Sequence, residues 1–352
     1  MEIAEIYKNM HNFPHELNLK FGDCRIRVKT NSEPLCDHLI RYFQDFQADE
    51  LSTPDIEITA VETEIQGFNV DFETRQPEPG KRKIKEEYFD FIDGRIVRKR
   101  LTGMCFIFGK ELNLAVGPCF KNDNQVINFI NNRFIEWMLK KEMLLAHCAG
   151  VSKNGKGIAM AGFSGMGKST LALHLMSRGF NFISNDRLLL EQKDGRINMW
   201  GVPKLPRINP GTALNNPDLQ TILSPSEKSK VEKMDPNKLW HLEQKYDVYI
   251  DQCYGSNRFE LHAPINLIVI LNWDHEYKDP VFNRVDLWSR RDLLPALMKS
   301  PGLFFLPDSG KKSDFSEDAY LKCLRGCPVL EITGGVDFNR AVDTCIEQLI
   351  GL

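Results

Sequence analysis

At 352 residues the chain is long enough for two domains, each with its own core. Its 42% hydrophobic and 26% charged residues are those of an ordinary globular protein, and a formal net charge of −3 gives no overall pull toward nucleic acid or an anionic membrane. No window carries a long uncharged apolar run, Met1 to Glu5 opens no secretory signal, and nine cysteines without a C-x-x-C pair predict reduced thiols in a cytoplasmic protein rather than a metal cluster.

Residues 1–122 read as a small α/β domain with an accessory or partner-facing role. Stretches 17–21 and 24–29 alternate apolar and polar around Gly22-Asp23, which predicts a hairpin. A helix is expected over 35–46, started by Asn31-Ser32-Glu33-Pro34, and a strand over 55–61. The polar, proline-rich 75–81 reads as a loop. Strands resume at 88–92 and 96–98 about an Asp93-Gly94 turn, then at 105–108 and 112–116. The basic runs Lys81-Arg82-Lys83 and Arg98-Lys99-Arg100 have acidic neighbours and read as solvated strand faces.

Residues 123–352 are expected to form a nucleotide-binding domain. One long helix is predicted over 126–145, with Ile127, Ile130, Phe134, Trp137, Met138 and Leu144 on a common stripe that suits a core. An apolar run at 144–151 and a strand at 157–161 flank Asn154-Gly155, a strong hairpin signal. That strand leads into Gly162-Phe163-Ser164-Gly165-Met166-Gly167-Lys168-Ser169, with Thr170 following, which fits G-x-x-x-x-G-K-[ST] at every fixed position. A helix over 170–178, stopped by Gly179, completes the strand–loop–helix order that the motif needs.

The chemistry of that pattern is direct. Glycines let backbone N–H groups turn inward on a polyphosphate, and the helix start adds its positive dipole end. Lys168 would reach the β- and γ-phosphates, and the Ser169 hydroxyl would join the shell of a Mg²⁺ ion. The expected ligands are therefore ATP, or another nucleoside triphosphate, and magnesium. His147, one hairpin arm before the loop, is a candidate to assist proton removal or to donate to a phosphate oxygen. His174 lies between leucines on the loop helix and reads as packing or surface. His241, His262 and His275 lack the spacing of a metal site.

Downstream, a strand over 180–184 ends in Asn185-Asp186-Arg187, and a hairpin spans 188–192 and 196–200. A Pro/Gly loop follows at 201–212, and 215–245 is polar enough to suggest a surface excursion or lid. Strands are expected at 247–250 and 265–273, and helices near 289–299, 316–325 and 337–351. Lys204 and Arg207, then Arg258, are the candidates for extra positive charge on the γ-phosphate. Arg290-Arg291 read as a helix surface.

The window 144–190 resembles the HPr kinase/phosphorylases and their related kinases. The matching residues are the run His147-Cys148-Ala149-Gly150-Val151, the loop, Leu171-Ala172-Leu173 with Leu175 on its helix, Arg178-Gly179, and Asn185-Asp186 at the next strand end. The resemblance implies a P-loop kinase core shared with the phosphoenolpyruvate carboxykinases, and ATP-dependent phosphoryl transfer to a hydroxyl on a protein serine or a small molecule. It also implies a homo-oligomer, since relatives assemble into rings. Where the family has two aspartates, a general base and a metal ligand, this chain has Asn185 and Asp186. Asp186 would then serve the metal beside Ser169, the base role, or both, and Asn185 could still offer its amide oxygen. The E-x-R-G-x-G signature of the phosphorolytic reaction is absent from the chain. Two other classes stay open: a P-loop ATPase, for which no guanine-reading N-K-x-D is present, and a nucleotide-binding regulator without turnover.

Overall fold

Alternation of apolar and polar residues builds a first, eight-stranded sheet. The computed structural model describes residues 13–49, 53–64, 70–75, 84–110, 112–163, 165–235, 238–239, 242, 244–274, 276–308, 310 and 313–351. They fall into two units, residues up to 140 with 301–312, and 141–300 with 313 onward. The basic run at 81–83 and most of the 75–81 loop lie outside the described residues. Among the described residues no helix is long and apolar enough to cross a membrane.

In the first unit, β1 (His15–Phe21) and β2 (Cys24–Thr30) form the expected hairpin, and Ser32 caps α1 (Glu33–Tyr42) by accepting from the Leu35 N–H. The sheet continues through β3 (Ile56–Glu62), β4 (Glu73–Thr74), β5 (Glu86–Phe91), β6 (Gly94–Lys99), β7 (Cys105–Gly109) and β8 (Asn113–Gly117) in the order β1-β2-β3-β8-β7-β6-β5-β4. The turn between β5 and β6 is Ile92-Asp93 rather than Asp93-Gly94. Gly94 instead pairs with Phe91, in a position where a Cβ would sit 2.4 Å from the Phe108 carbonyl. Helix α2 (Asp123–Leu139) belongs to this unit, and its Phe134 packs edge-on to Phe21 at 5.4 Å. The sequence pattern places this helix at the head of the second domain and runs it to 145. It stops at Leu139 because Glu142 takes a left-handed φ of 66°, after which Leu144 enters a strand. Phe304 of the returning segment 301–312 joins Phe106, Phe108 and Phe129 at ring distances of 5.5–6.1 Å.

The second unit holds β9 (Leu144–Ala146), β10 (Ala149–Lys153), β11 (Lys156–Gly162), α3 (Lys168–Met176), β12 (Asn181–Ser184), β13 (Leu188–Lys193) and β14 (Arg196–Gly201). Next come β15 (Arg207–Ile208), α4 (Pro210–Leu214), α5 (Pro225–Glu232), β16 (Tyr246–Asp247), α6 (Ile250–Tyr254) and β17 (His262–Leu271). The chain closes with β18 (Pro280–Val285), α7 (Glu317–Cys323), β19 (Val329–Gly334) and α8 (Phe338–Ile350). Strand β17 organises the sheet. It is parallel to β11 on one edge, and on the other it takes antiparallel β14 at its start and parallel β19 at its end. One face is covered by a core including Leu171 and Leu175 of α3 and Val342 and Cys345 of α8. The opposite face packs Leu188, Leu294 and Tyr320.

Several expectations change here. Residues 247–250 supply only the two-residue β16 and then start α6, and 215–245 is anchored, since Leu219, Leu223 and Val231 enter the core. Strands β18 and β19 were not read from the sequence. In β19 the apolar run is broken by Glu331, 3% exposed, whose carboxylate accepts from Arg290 at 2.8 Å and Asn272 at 2.9 Å. A paired charge inside a strand hides it from a hydrophobicity pattern. The same contact takes Arg290 off the plain helix surface expected of it.

Candidate functional site around the glycine loop

Asn154 and Gly155, at φ of 52° and 75°, make the tight turn that lays β10 antiparallel to β11. The strand β11 then ends at Gly162, and the chain loops to Gly167 at the start of α3. Gly167 has φ of 84°, and a Cβ there would lie 2.6 Å from the ring of Phe338, so both conformation and packing demand glycine. Trp273, just past β17, donates its indole N–H to the Met166 carbonyl at 2.9 Å and ties the loop to the sheet. Gly165 sits in the loop at φ of 87°, while Ser164 lies outside the described residues. Thr170 shares a 2.9 Å hydrogen bond with the Thr212 hydroxyl.

Lys168 is 7% exposed, and its ammonium donates to the carbonyls of Gly162 at 2.6 Å and Phe163 at 3.2 Å. Among the described residues it makes no ion pair. Burial pushes its pKa down, opposed by the charge of Asp186 nearby. A buried ammonium held, among the described residues, by neutral carbonyls under a loop at a helix start has the chemistry to take an anion. Ser169 follows it in the first turn of α3.

His147 and Cys148 occupy a break in what reads as one apolar run. Ala146 pairs with Leu188 of β13, whereas Ala149 pairs with Met160 of β11, so the chain crosses between partners at His147. The His147 N–H is held by the Leu297 carbonyl at 2.7 Å, and its Nε2 lies 3.1 Å from Asp186 Oδ1. Asp186 stands in the turn after β12, which Ser184 closes by donating to the Arg187 carbonyl at 2.6 Å. Burial raises the Asp186 carboxyl, but the hydrogen bond from His147 and the charges of His147, Arg187 and Lys204 outweigh it. The carboxyl is held well below the usual carboxylate range. Arg187 Nε is 3.7 Å from Asp186 Oδ2. Lys204, whose pKa is lowered by burial and then by Arg187, completes the cluster.

Asn185 contributes a second observation. Its Oδ1, in the residue before Asp186, is buried without a hydrogen-bond partner among the described residues. An unsatisfied amide oxygen and an ionised carboxylate on consecutive residues are donors of the type a hard divalent cation takes. Among the described residues no three His, Cys, Asp or Glu side chains gather as a metal cage. Magnesium that arrives with phosphates needs only one or two carboxylates, so this donor set fits it.

The remaining candidates divide. Arg207 pairs with Asp247 across β15 and β16 at 3.2 Å, both half-exposed, and it is Arg187 and Lys204 that act on Asp186. Arg258 is structural, donating to Asn181 at 2.8 Å and to the Phe180 carbonyl at 2.5 Å. His262 lies against Trp200 at 4.3 Å, and His241 and His275 lie outside the described residues. Trp273 and Phe338, which shape the loop, escaped the sequence reading. Trp273 carried a faint signal, a lone indole ending the most apolar strand, and Phe338 carried none.

No protein-family model matches the chain. The HPr kinase/phosphorylases of two strains of Clostridium kluyveri are each 33% identical to it over 132 residues, which is 35% of this chain and 40% of theirs. The match thus takes in less than half the length of those relatives. A solved structure, the Hpr(Ser) kinase/phosphatase from Coxiella burnetii, aligns at 12% identity over 58% of this chain and 87% of that one, with a TM-score of 0.30, a likeness too slight to bear on the fold.

Proposed function

We propose that this chain, related to the HPr kinase/phosphorylases over about a third of its length, is an ATP-dependent phosphotransferase on a PEP-carboxykinase-like P-loop core. The chemistry belongs to the second unit, with the first as an accessory domain. The observation that carries this reading is Lys168, a buried ammonium with no ion pair among the described residues, at the mouth of a glycine loop and in the field of Asp186, which itself pairs with His147. Lys168 would exchange the Gly162 and Phe163 carbonyls for β- and γ-phosphate oxygens, and loop amides would take the rest. Ser169, Asp186 and the Asn185 amide oxygen are the groups that would hold Mg²⁺. Magnesium, when bound, neutralises phosphate charge. The acceptor hydroxyl oxygen bonds to the γ-phosphorus as the β–γ bridge breaks and ADP leaves. The acceptor proton goes to Asp186 or to His147, which in its neutral form would take it at Nδ1 while Nε2 donates to Asp186 and would then be the charged partner of that carboxylate. Lys204 and Arg187 add positive charge, with Arg207 further out. The acceptor is a hydroxyl of a protein serine or a small molecule, in a reducing compartment such as the cytoplasm, and a homo-oligomer is consistent with the family.

Transfer of radiolabelled γ-phosphate from ATP to candidate acceptors tests this. His147→Ala and Asp186→Ala should each lower transfer by about 10²–10⁴. Hydrolysis indifferent to any acceptor would indicate an ATPase instead, and binding without turnover would indicate a regulator.

A further inference from the structure

Beside the loop lies a cavity of about 450 Å³, within the range of small-molecule sites. Gly165, Gly167 and Thr170 form one wall and Asn209, His174 and Phe338 the others. Phe338 is fixed from two directions, stacked on His174 (5° between planes, 5.6 Å between centroids) and met edge-on by Trp273 at 5.0 Å. Its ring lies against Gly167, so the aromatic wall begins where the phosphate loop ends. Among the described residues, two polar atoms of these lining residues are buried without a hydrogen-bond partner, Oδ1 of Asn209 and Nε2 of His174. Burial and the charge of Arg178 press the His174 pKa down, which keeps its ring neutral. A cavity with a rigid aromatic wall, unmet polar atoms and a phosphate loop on its rim has the chemistry of a heteroaromatic ring joined to a polyphosphate.

We propose that this cavity holds the base of the nucleoside triphosphate, with Phe338 packing on an amino-bearing purine and the Asn209 amide turning its buried Oδ1 into the cavity to accept from the exocyclic amino group. The proposal rests on the reading that residues 162–169 bind the triphosphate. It assigns base selectivity to two elements remote in sequence from that loop, the residue before α4 and the first residue of α8. A site built to accept from an amino group discriminates against an analogue that lacks one, because its buried acceptor is then left unpaired.

Calorimetric titration of the full chain with magnesium and ATP, inosine triphosphate or inorganic tripolyphosphate separates the two readings. The wild type should bind ATP at least about tenfold more tightly than tripolyphosphate, and several-fold more tightly than inosine triphosphate. Phe338→Leu should weaken ATP about tenfold, and Asn209→Ala should abolish the preference for ATP over inosine triphosphate, while tripolyphosphate binding stays unchanged in both. That unchanged binding also shows that the variants fold. Equal affinity for ATP and tripolyphosphate, or variants that leave the three-ligand ranking untouched, overturns the base pocket and spares the loop. Failure of Lys168→Ala to weaken tripolyphosphate overturns the loop reading, and absence of all binding overturns both.

Discussion

At the scale of single residues, the site is a set of charges whose states are fixed by burial and by one hydrogen bond. Asp186 stays ionised because His147, Arg187 and Lys204 together outweigh its burial. Its depressed folded pKa means a stabilisation that is complete above the ordinary carboxylate value, about 3.9, and that fades as pH falls below it toward the folded value. Asp186→Asn should therefore cost about 1 kcal/mol at pH 7, the scale of a partly exposed ion pair, and nothing once the wild-type carboxyl is protonated. Chemical unfolding at pH 7 and in strong acid measures the difference. A gap that widens in acid would reverse the sign argued here. The thiol of Cys148 is pushed up to about 12 by burial, and Cys345 likewise to about 12. Both should resist iodoacetamide at pH 8 in the native protein and react on unfolding, as peptide mass spectrometry reads directly. Lys168 and Ser169 are candidates from the motif alone, whereas the pairing of Asp186 with His147 comes only from the fold. Nothing in the sequence brings a residue after β12 beside one between β9 and β10, since side-chain partnership across a sheet has no local pattern.

At the scale of elements, the loop depends on a residue that cannot carry a side chain. Gly167 combines φ of 84° with a ring at 2.6 Å from where a Cβ would be. Gly167→Ala should cost about 1–3 kcal/mol and lower the melting temperature, with ATP affinity falling as Phe338 shifts. Unaltered melting would mean that the loop adjusts freely. Elements announced by turn chemistry or capping came through close to their expected bounds, as with the Asn154-Gly155 hairpin and the Ser32 cap. Those that failed did so where tertiary structure overrides periodicity. The stripe from Ile127 to Leu144 continues across a left-handed Glu142 that ends the helix. The polar 215–245 segment hides three core residues, and β19 carries a buried, paired glutamate.

At the scale of the whole molecule, the chain does not divide at one point. Residues 301–312 return to the first unit, where Phe304 enters the cluster around Phe106, Phe108 and Phe129. A single boundary drawn along the sequence cannot express such a return, because no composition shift marks it. Phe304→Ala should remove about 1–3 kcal/mol of apolar packing from this unit. Hydrogen exchange should quicken in β6 and β7 while β11 and β17 keep their protection, and uniform loss across both units would contradict the division.

The claim on which the functional account turns is that a buried ammonium under the glycine loop receives a triphosphate. Equilibrium dialysis of ATP with magnesium against the intact chain and against Lys168→Met, confirmed as folded, addresses it directly. Saturable, one-site binding is expected, weakening by at least about tenfold when the ammonium is removed. Affinity for ATP unchanged by that substitution would contradict it.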